Sequence, residues 1–291
     1  MKFAELFPLT DQNLISILKI DHRASLARSI RPSKPKSISA SRLFSVKNDV
    51  VKALSPFSSA TLIDHNAAKK CKSRRTLSKK DTLIFPLERT GFSQTAGERL
   101  NLLEKGWTPK KAKRAGATAV KLLLYYNPRY QRSASRQTSL LKKASSLCKK
   151  AGIPLMLELV IYEISLDMWE GAILNSAREF SPHCDLIALQ FPSTSIEMAS
   201  AIRACERISD SLSIPWVLHG DREDFAQFKW KLEAACLGGA SGFSAGSAVW
   251  KEAVRLSASE RLHFLNVISA GRLIRLRDIV RKYGRRVDEF A

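Results

Sequence analysis

Two ionisable residues sit where ionisable residues are costly to bury. Lys121 lies within the run AVKLLLYY, and Glu158 lies within PLMLELVIY. A lysine in such a segment either extends its end to solvent or sits desolvated with a depressed pKa. The second state suits Schiff-base or acid/base chemistry. A glutamate between apolar neighbours needs a cation, and Lys121 is the natural partner. Together they would form a proton-transfer pair. Asp21 and Asp64 follow the apolar runs LISILKI and ATLI. Each either meets a ligand or caps the helix that comes next.

The elements that would position these residues alternate regularly. Short apolar, β-branched runs occur at Leu14–Ile20, Ala60–Ile63, Thr82–Pro86, Ala119–Tyr125, Pro154–Val160, Asp185–Gln190, Pro215–Leu218 and Ala240–Ala245. Between them lie helical stretches such as Ser135–Ala151, Ser195–Leu212 and Asp224–Leu237. This βα alternation predicts an α/β fold, a single (β/α)₈ TIM barrel over residues 1–291. The Pro/Ser/Lys stretch Arg31–Ser41 reads as a long first βα loop, and a helix over about 270–290 packs outside. A doubly wound sheet would carry a glycine-rich first turn, whereas the first strand here runs into Asp21-His22-Arg23. Barrel chemistry gathers where strands end at the C-terminal face. Those positions are Asp21, Asp64, Glu88, Lys121, Glu158, Ala188 to Gln190, His219 and the Gly242–Gly246 loop.

With 48 Lys and Arg against 27 Asp and Glu, the net charge is +21, a field that attracts anions such as sugar phosphates or nucleic acid. Lys69 to Lys80 (KKCKSRRTLSKK) reads either as a weak nucleic-acid contact or as a solvated helix and loop; no interleaved aromatics accompany it. No apolar run is long enough to span a bilayer and no signal peptide is apparent. Five cysteines without metal-ligand spacing read as free thiols of a cytoplasmic protein, with no metal or other cofactor expected.

In order along the chain, these residues resemble the class I aldolases that cleave tagatose 1,6-bisphosphate and the related sulfofructose-phosphate aldolases. The resemblance rests on Ile20-Asp21-His22-Arg23, Leu62-Ile63-Asp64, Arg89-Thr90-Gly91-Phe92 and Gly106-Trp107. It continues through the stretches from Gly116 to Pro128, Gly152-Ile153-Pro154 with Glu158, Ile214 to Leu218, and Gly239 to Trp250. It implies a retro-aldol split of a ketose phosphate, with a lysine imine as electron sink and no metal. Asp21, Lys121 and Glu158 fall on family active-site positions, Glu158 on the general acid/base. Asp64, Arg23, His219, Gly246 and Ser247 are expected to line the substrate, and a homo-oligomer is expected.

The resemblance fails at the sixth strand. The family pattern Asp-x-x-Lys-x-Glu-x-Pro, whose lysine forms the imine, reads here Asp185-Leu186-Ile187-Ala188-Leu189-Gln190-Phe191-Pro192. Alanine forms no imine, and losing a covalent nucleophile costs on the order of a millionfold, about 8 kcal/mol of barrier. Near the phosphate end, His219-Gly220-Asp221 replaces a Ser-rich turn and Ser247 replaces an arginine. Three readings remain: an aldolase whose imine lysine is Lys121 (transaldolase resembles this in using a fourth-strand lysine), a lyase or isomerase using acid/base chemistry alone, and an inactive barrel retained to bind anions, sugar phosphates or nucleic acid.

Overall fold

The structure, a computed structural model, describes residues 4–95, 97–220 and 223–290. Its strands are β1 (Ile15–Lys19), β2 (Ala60–Leu62), β3 (Leu83–Pro86), β4 (Ser93–Thr95), β5 (Glu98–Leu100), β6 (Ala119–Tyr126), β7 (Leu155–Ile161), β8 (Leu186–Leu189), β9 (Trp216–His219) and β10 (Gly242–Ala245). Its helices are α1 (Ala24–Ile30), α2 (Ala40–Leu54), α3 (His65–Ser73), α4 (Pro109–Arg114), α5 (Gln131–Ala151), α6 (Leu166–Phe180), α7 (Met198–Ser211), α8 (Phe225–Leu237), α9 (Ser247–Trp250), α10 (Ala258–Phe264) and α11 (Ala270–Tyr283).

Eight parallel strands close in the order β1-β10-β9-β8-β7-β6-β3-β2, as the βα alternation predicts. The short pair β4–β5, an antiparallel hairpin between β3 and α4, was not anticipated; three-residue strands leave too little period-2 pattern to read. The Arg31–Ser41 stretch runs from the end of α1 into the first residues of α2, both helices lying within the β1–β2 connection. The helix expected to reach residue 290 stops at Tyr283. At Gly284 a Cβ would stand 2.6 Å from the Val280 carbonyl oxygen, and beyond it Val287 N–H donates to Asn13 O (2.8 Å), tying the chain end to the start of β1.

Helix boundaries follow their capping residues. Asp64, Thr108 and Asp224 accept from the backbone N–H of Ala67, Lys111 and Gln227 at the starts of α3, α4 and α8. α5 ends on Gly152 in the left-handed conformation, φ 58°. The five cysteines are free thiols, and burial pushes all of them up from their ordinary value. Among the described residues, no helix is long and apolar enough to cross a membrane.

Strand register fixes which side chains share the interior. Lys19 pairs with Leu62, Leu62 with Ile84, Lys121 with Pro86 and Met156, Glu158 with Ala188, Ala188 with Val217, and His219 with Ser244. Neighbours in a parallel ladder point the same way and alternate residues return to the same face. Lys19, Lys121, Glu158, Ala188 and His219 therefore face one interior, with Asp21 and Glu88 continuing it at the C-terminal mouth.

Closure depends on β10 meeting β1 at close range. Gly242 has φ 147°, and a Cβ there would lie 1.7 Å from the Ile15 carbonyl oxygen. Gly242→Ala must force these two backbones apart. The expected outcome is insoluble protein, or a thermal unfolding midpoint lowered by more than about 10 °C, as a loss of several kcal/mol implies. Unchanged thermal melting would contradict this closure.

Candidate active site

At the C-terminal mouth two ammonium groups meet three carboxylates. Lys121 Nζ lies 2.6 Å from Glu88 Oε1, 2.8 Å from Asp21 Oδ2 and 3.4 Å from Glu158 Oε2. Lys19 Nζ donates to Glu158 Oε1. Strands β1 and β7 are four places apart in the closed order, so Lys19 crosses the barrel to the strand opposite its own. His219 Nε2 stands 3.7 Å from Glu158 Oε1. Glu88 Oε2 also accepts from Leu123 N–H at 3.1 Å, fixing that carboxylate on the β6 backbone. Lys121 and Glu158 are 1% and 2% exposed, Lys19 8%.

The predicted trio of Asp21, Lys121 and Glu158 thus comes together, and Lys121 pairs with Glu158 as expected, with one addition and one correction. Lys19 joins as a second cation on Glu158, and Lys121 also meets Glu88 and Asp21. The depressed pKa expected for Lys121 is reversed: burial pushes it down, but Asp21, Glu158 and Glu88 outweigh burial and hold it well above its ordinary value. For Glu158, burial pulls upward, yet Lys121, Lys19 and His219 bring it down to about 2. Asp21 is likewise held far below the usual carboxylate range, burial being overcome by Lys121 and Lys19. Burial, reinforced by Lys19 and Lys47, lowers His22 to about 4, so its imidazole is neutral at pH 7.

Lys19 escaped the sequence reading because it stands next to last in its apolar run and reads as a strand-end lysine. The available signal was parity: Lys19 and Asp21 are two apart, so an inward Asp21 requires an inward Lys19.

The remaining expected residues divide between mouth and scaffold. Arg23 reaches from the start of α1 to the Glu88 carbonyl (3.4 Å) and Glu104 (3.6 Å), half-buried at the rim. His219 is buried in the interior. Asp64 performs the alternative role, capping α3 at Ala67 N–H and pairing with the buried Lys47. Gln190 is tied to the end of β7, accepting from Ile161 N–H at 2.7 Å. Gly246 packs directly on β1: a Cβ there would meet Lys19 O at 2.7 Å and His22 Cε1 at 2.9 Å. Ser247 begins the four-residue α9 and is half-buried. Asp221 lies outside the described residues. The Lys69–Lys80 run forms the C-terminal half of α3 and the segment after it, with Lys70 and Arg74 over the Phe44 ring. Among the described residues no cluster of three or more His, Cys, Asp or Glu is arranged to hold a metal ion.

The family described as DeoC/LacD family aldolase matches residues 15–252, the whole barrel from β1 through α9. The chain belongs to this family. It is 30% identical over 184 residues to tagatose 1,6-diphosphate aldolase 1 of Streptococcus mutans, covering 62% of this chain and 55% of that protein. It is 30% identical over 156 residues to tagatose 1,6-diphosphate aldolase 2 of Streptococcus pyogenes, covering 53% and 47%. The chain thus spans about half the length of these relatives. Among solved structures it resembles an archaeal fructose 1,6-bisphosphate aldolase (TM-score 0.64, 14% identity, 94% and 99% covered). It also resembles the Plasmodium falciparum fructose-bisphosphate aldolase (TM-score 0.73, 12% identity, 98% and 95% covered). At such identities these two speak for the barrel fold alone.

The site's charges set an acid limit on stability. Glu158 and Asp21 have folded-state pKa values below their ordinary 4.5 and 3.8, so their contribution is complete above about pH 5 and is lost as pH falls toward 2. Urea unfolding at pH 7, 4 and 3 is expected to show falling stability. Glu158→Gln strands a buried lysine and is expected to cost about 3–5 kcal/mol at pH 7, with a flatter dependence below pH 5. Identical pH slopes for the two proteins would contradict the ion pairing.

Proposed function

We propose that this protein is a metal-independent aldolase that cleaves a ketose phosphate through an imine on a buried lysine other than position 188. The observation that carries the reading is the Glu158 carboxylate held between two interior ammonium groups, Lys19 and Lys121, at the catalytic end of an aldolase-family barrel. An imine needs an amine beside a group that can take and return protons, in a water-poor setting; a nearly buried glutamate in contact with both lysines meets that need. The curated relatives act on tagatose 1,6-diphosphate by name, which supports a phosphorylated ketose as substrate class. The guanidinium of Arg23 at the rim supplies a cation for a phosphate.

Ala188 favours a second reading, a barrel that binds sugar phosphates or other anions without turning them over, with the Lys69–Lys80 surface as a nucleic-acid contact. The two separate in one assay. With tagatose or fructose 1,6-bisphosphate, triose phosphate should appear at a rate unaffected by a chelator, and Glu158→Gln should lower kcat by about 10²–10⁴-fold. Binding of the bisphosphate with no triose phosphate released would sink the aldolase reading and leave the second. For the second reading, nucleic-acid affinity that ignored salt concentration would exclude the basic surface as its working part.

A further inference from the structure

Within that aldolase reading, on which this inference rests, we infer that the imine-forming amine is Lys19 of β1, acting across the barrel in place of a lysine at position 188. Ala188 and Glu158 are register partners on β8 and β7, so a short side chain stands beside the Glu158 carboxylate. Lys19 is the residue that comes to that carboxylate from the opposite wall, hydrogen-bonded to Oε1. The rival, Lys121, meets three carboxylates, those of Asp21, Glu88 and Glu158. It would have to leave this cage before its nitrogen lone pair could attack a carbonyl. Lys19 has a hydrogen bond to one carboxylate and is the more accessible of the two, 8% against 1% exposed.

The base of Lys19 is also held firmly. Trp250 Nε1 donates to its carbonyl at 3.2 Å, and Gly246 lies so close that a Cβ would stand 2.7 Å from that oxygen and 3.4 Å from Lys19 Cβ. A rigid stem presenting a flexible amine to one general base is what covalent catalysis requires.

Lys19 passes its proton to Glu158, and the freed nitrogen attacks the ketose carbonyl carbon to give a carbinolamine. Glu158 returns the proton to the carbinolamine oxygen, which leaves as water and yields the iminium. The bond between C3 and C4 then breaks, its electron pair moving to the iminium nitrogen as the C4 hydroxyl proton goes to Glu158. The acceptor in this scheme is its Oε2, which makes no hydrogen bond in this structure and lies 3.4 Å from Lys121 Nζ. The aldehyde phosphate departs. Glu158 returns that proton to C3 of the enamine, and addition of water to the resulting iminium frees dihydroxyacetone phosphate and the Lys19 ammonium. Lys121 serves by holding Asp21, Glu88 and Glu158 in place, a positioning role.

The test traps the intermediate in the full chain. The protein is incubated with dihydroxyacetone phosphate and sodium borohydride, whose hydride reduces the iminium to a stable secondary amine, and the modified residue is located by peptide mass mapping. The expected result is one adduct on Lys19. Lys19→Arg, which keeps the charge facing Glu158 but cannot form an imine, should give no adduct and lower kcat by at least about a thousandfold, with a near-normal circular dichroism spectrum. An adduct on Lys121 would overturn the inference while leaving the aldolase reading intact. Triose phosphate release with no trapped adduct on any lysine would overturn the inference and the imine route of that reading, leaving the cleavage itself. Absence of both adduct and cleavage would overturn both.

Discussion

Everything at the mouth of this barrel is arranged around one carboxylate. Glu158 is almost fully buried and remains ionised because Lys19 and Lys121 approach its two oxygens from different strands. An isolated carboxylate here would be neutralised by its surroundings, and either lysine alone in an apolar interior would lose its proton. The charges are mutually obligatory, so removing one leaves its partner stranded. This is why the second lysine is surrounded as it is. With Lys19 occupying one oxygen of Glu158, Lys121 draws its compensation from Asp21 and Glu88 as well. Five charged groups from four strands and their ends form one connected unit.

Such a unit needs a scaffold that places side chains from opposite walls to within hydrogen-bond reach, and a closed barrel does this. Interior positions recur every second residue along each strand, and the parallel register carries a position from strand to strand. Two close backbone approaches secure the β1 side. Gly242 admits β10 against Ile15, and Gly246, four residues on, admits the loop leading to α9 against Lys19 and His22. The indole of Trp250 completes that seam by donating to the carbonyl of Lys19. A glycine expected to serve a phosphate is thus also a packing device for the lysine stem.

The sequence made the barrel legible, because eight apolar runs alternating with helical stretches leave few alternatives. The buried charges were legible where a charged residue interrupts such a run, as Lys121 and Glu158 do. It was not legible where charge stands at the end of a run. Lys19 looks like any strand-end lysine until its parity with Asp21 is taken into account, and its partner is 139 residues away. Pairing was read only in part for a related reason. Adjacent strands suggest adjacent partners, and Lys121 does pair with Glu158, but a second cation reaches it from across the barrel. The direction of the Lys121 shift was out of reach as well, since it depends on counting carboxylates contributed by β1, β3 and β7 at once. Asp64 shows the opposite outcome: a strand-end aspartate with a cap and a buried lysine to satisfy.

The alanine at 188 takes on a different meaning in this setting. On an extended or open scaffold, moving a nucleophile to another element would change its approach to the substrate entirely. Inside a closed barrel the side chains converge, so an amine can reach the same carboxylate from more than one strand. For the proposed imine chemistry the constraint falls on where the nitrogen ends up and on what receives its proton, more than on which residue bears it. Glu158, sitting beside Ala188 and facing Lys19, would meet the second condition. A lysine at 188 would bring a third ammonium to a centre that already holds two. Its replacement by alanine is therefore compatible with Lys19 in a way that neither residue suggests alone: the small side chain on β8 and the long one on β1 are two halves of one arrangement.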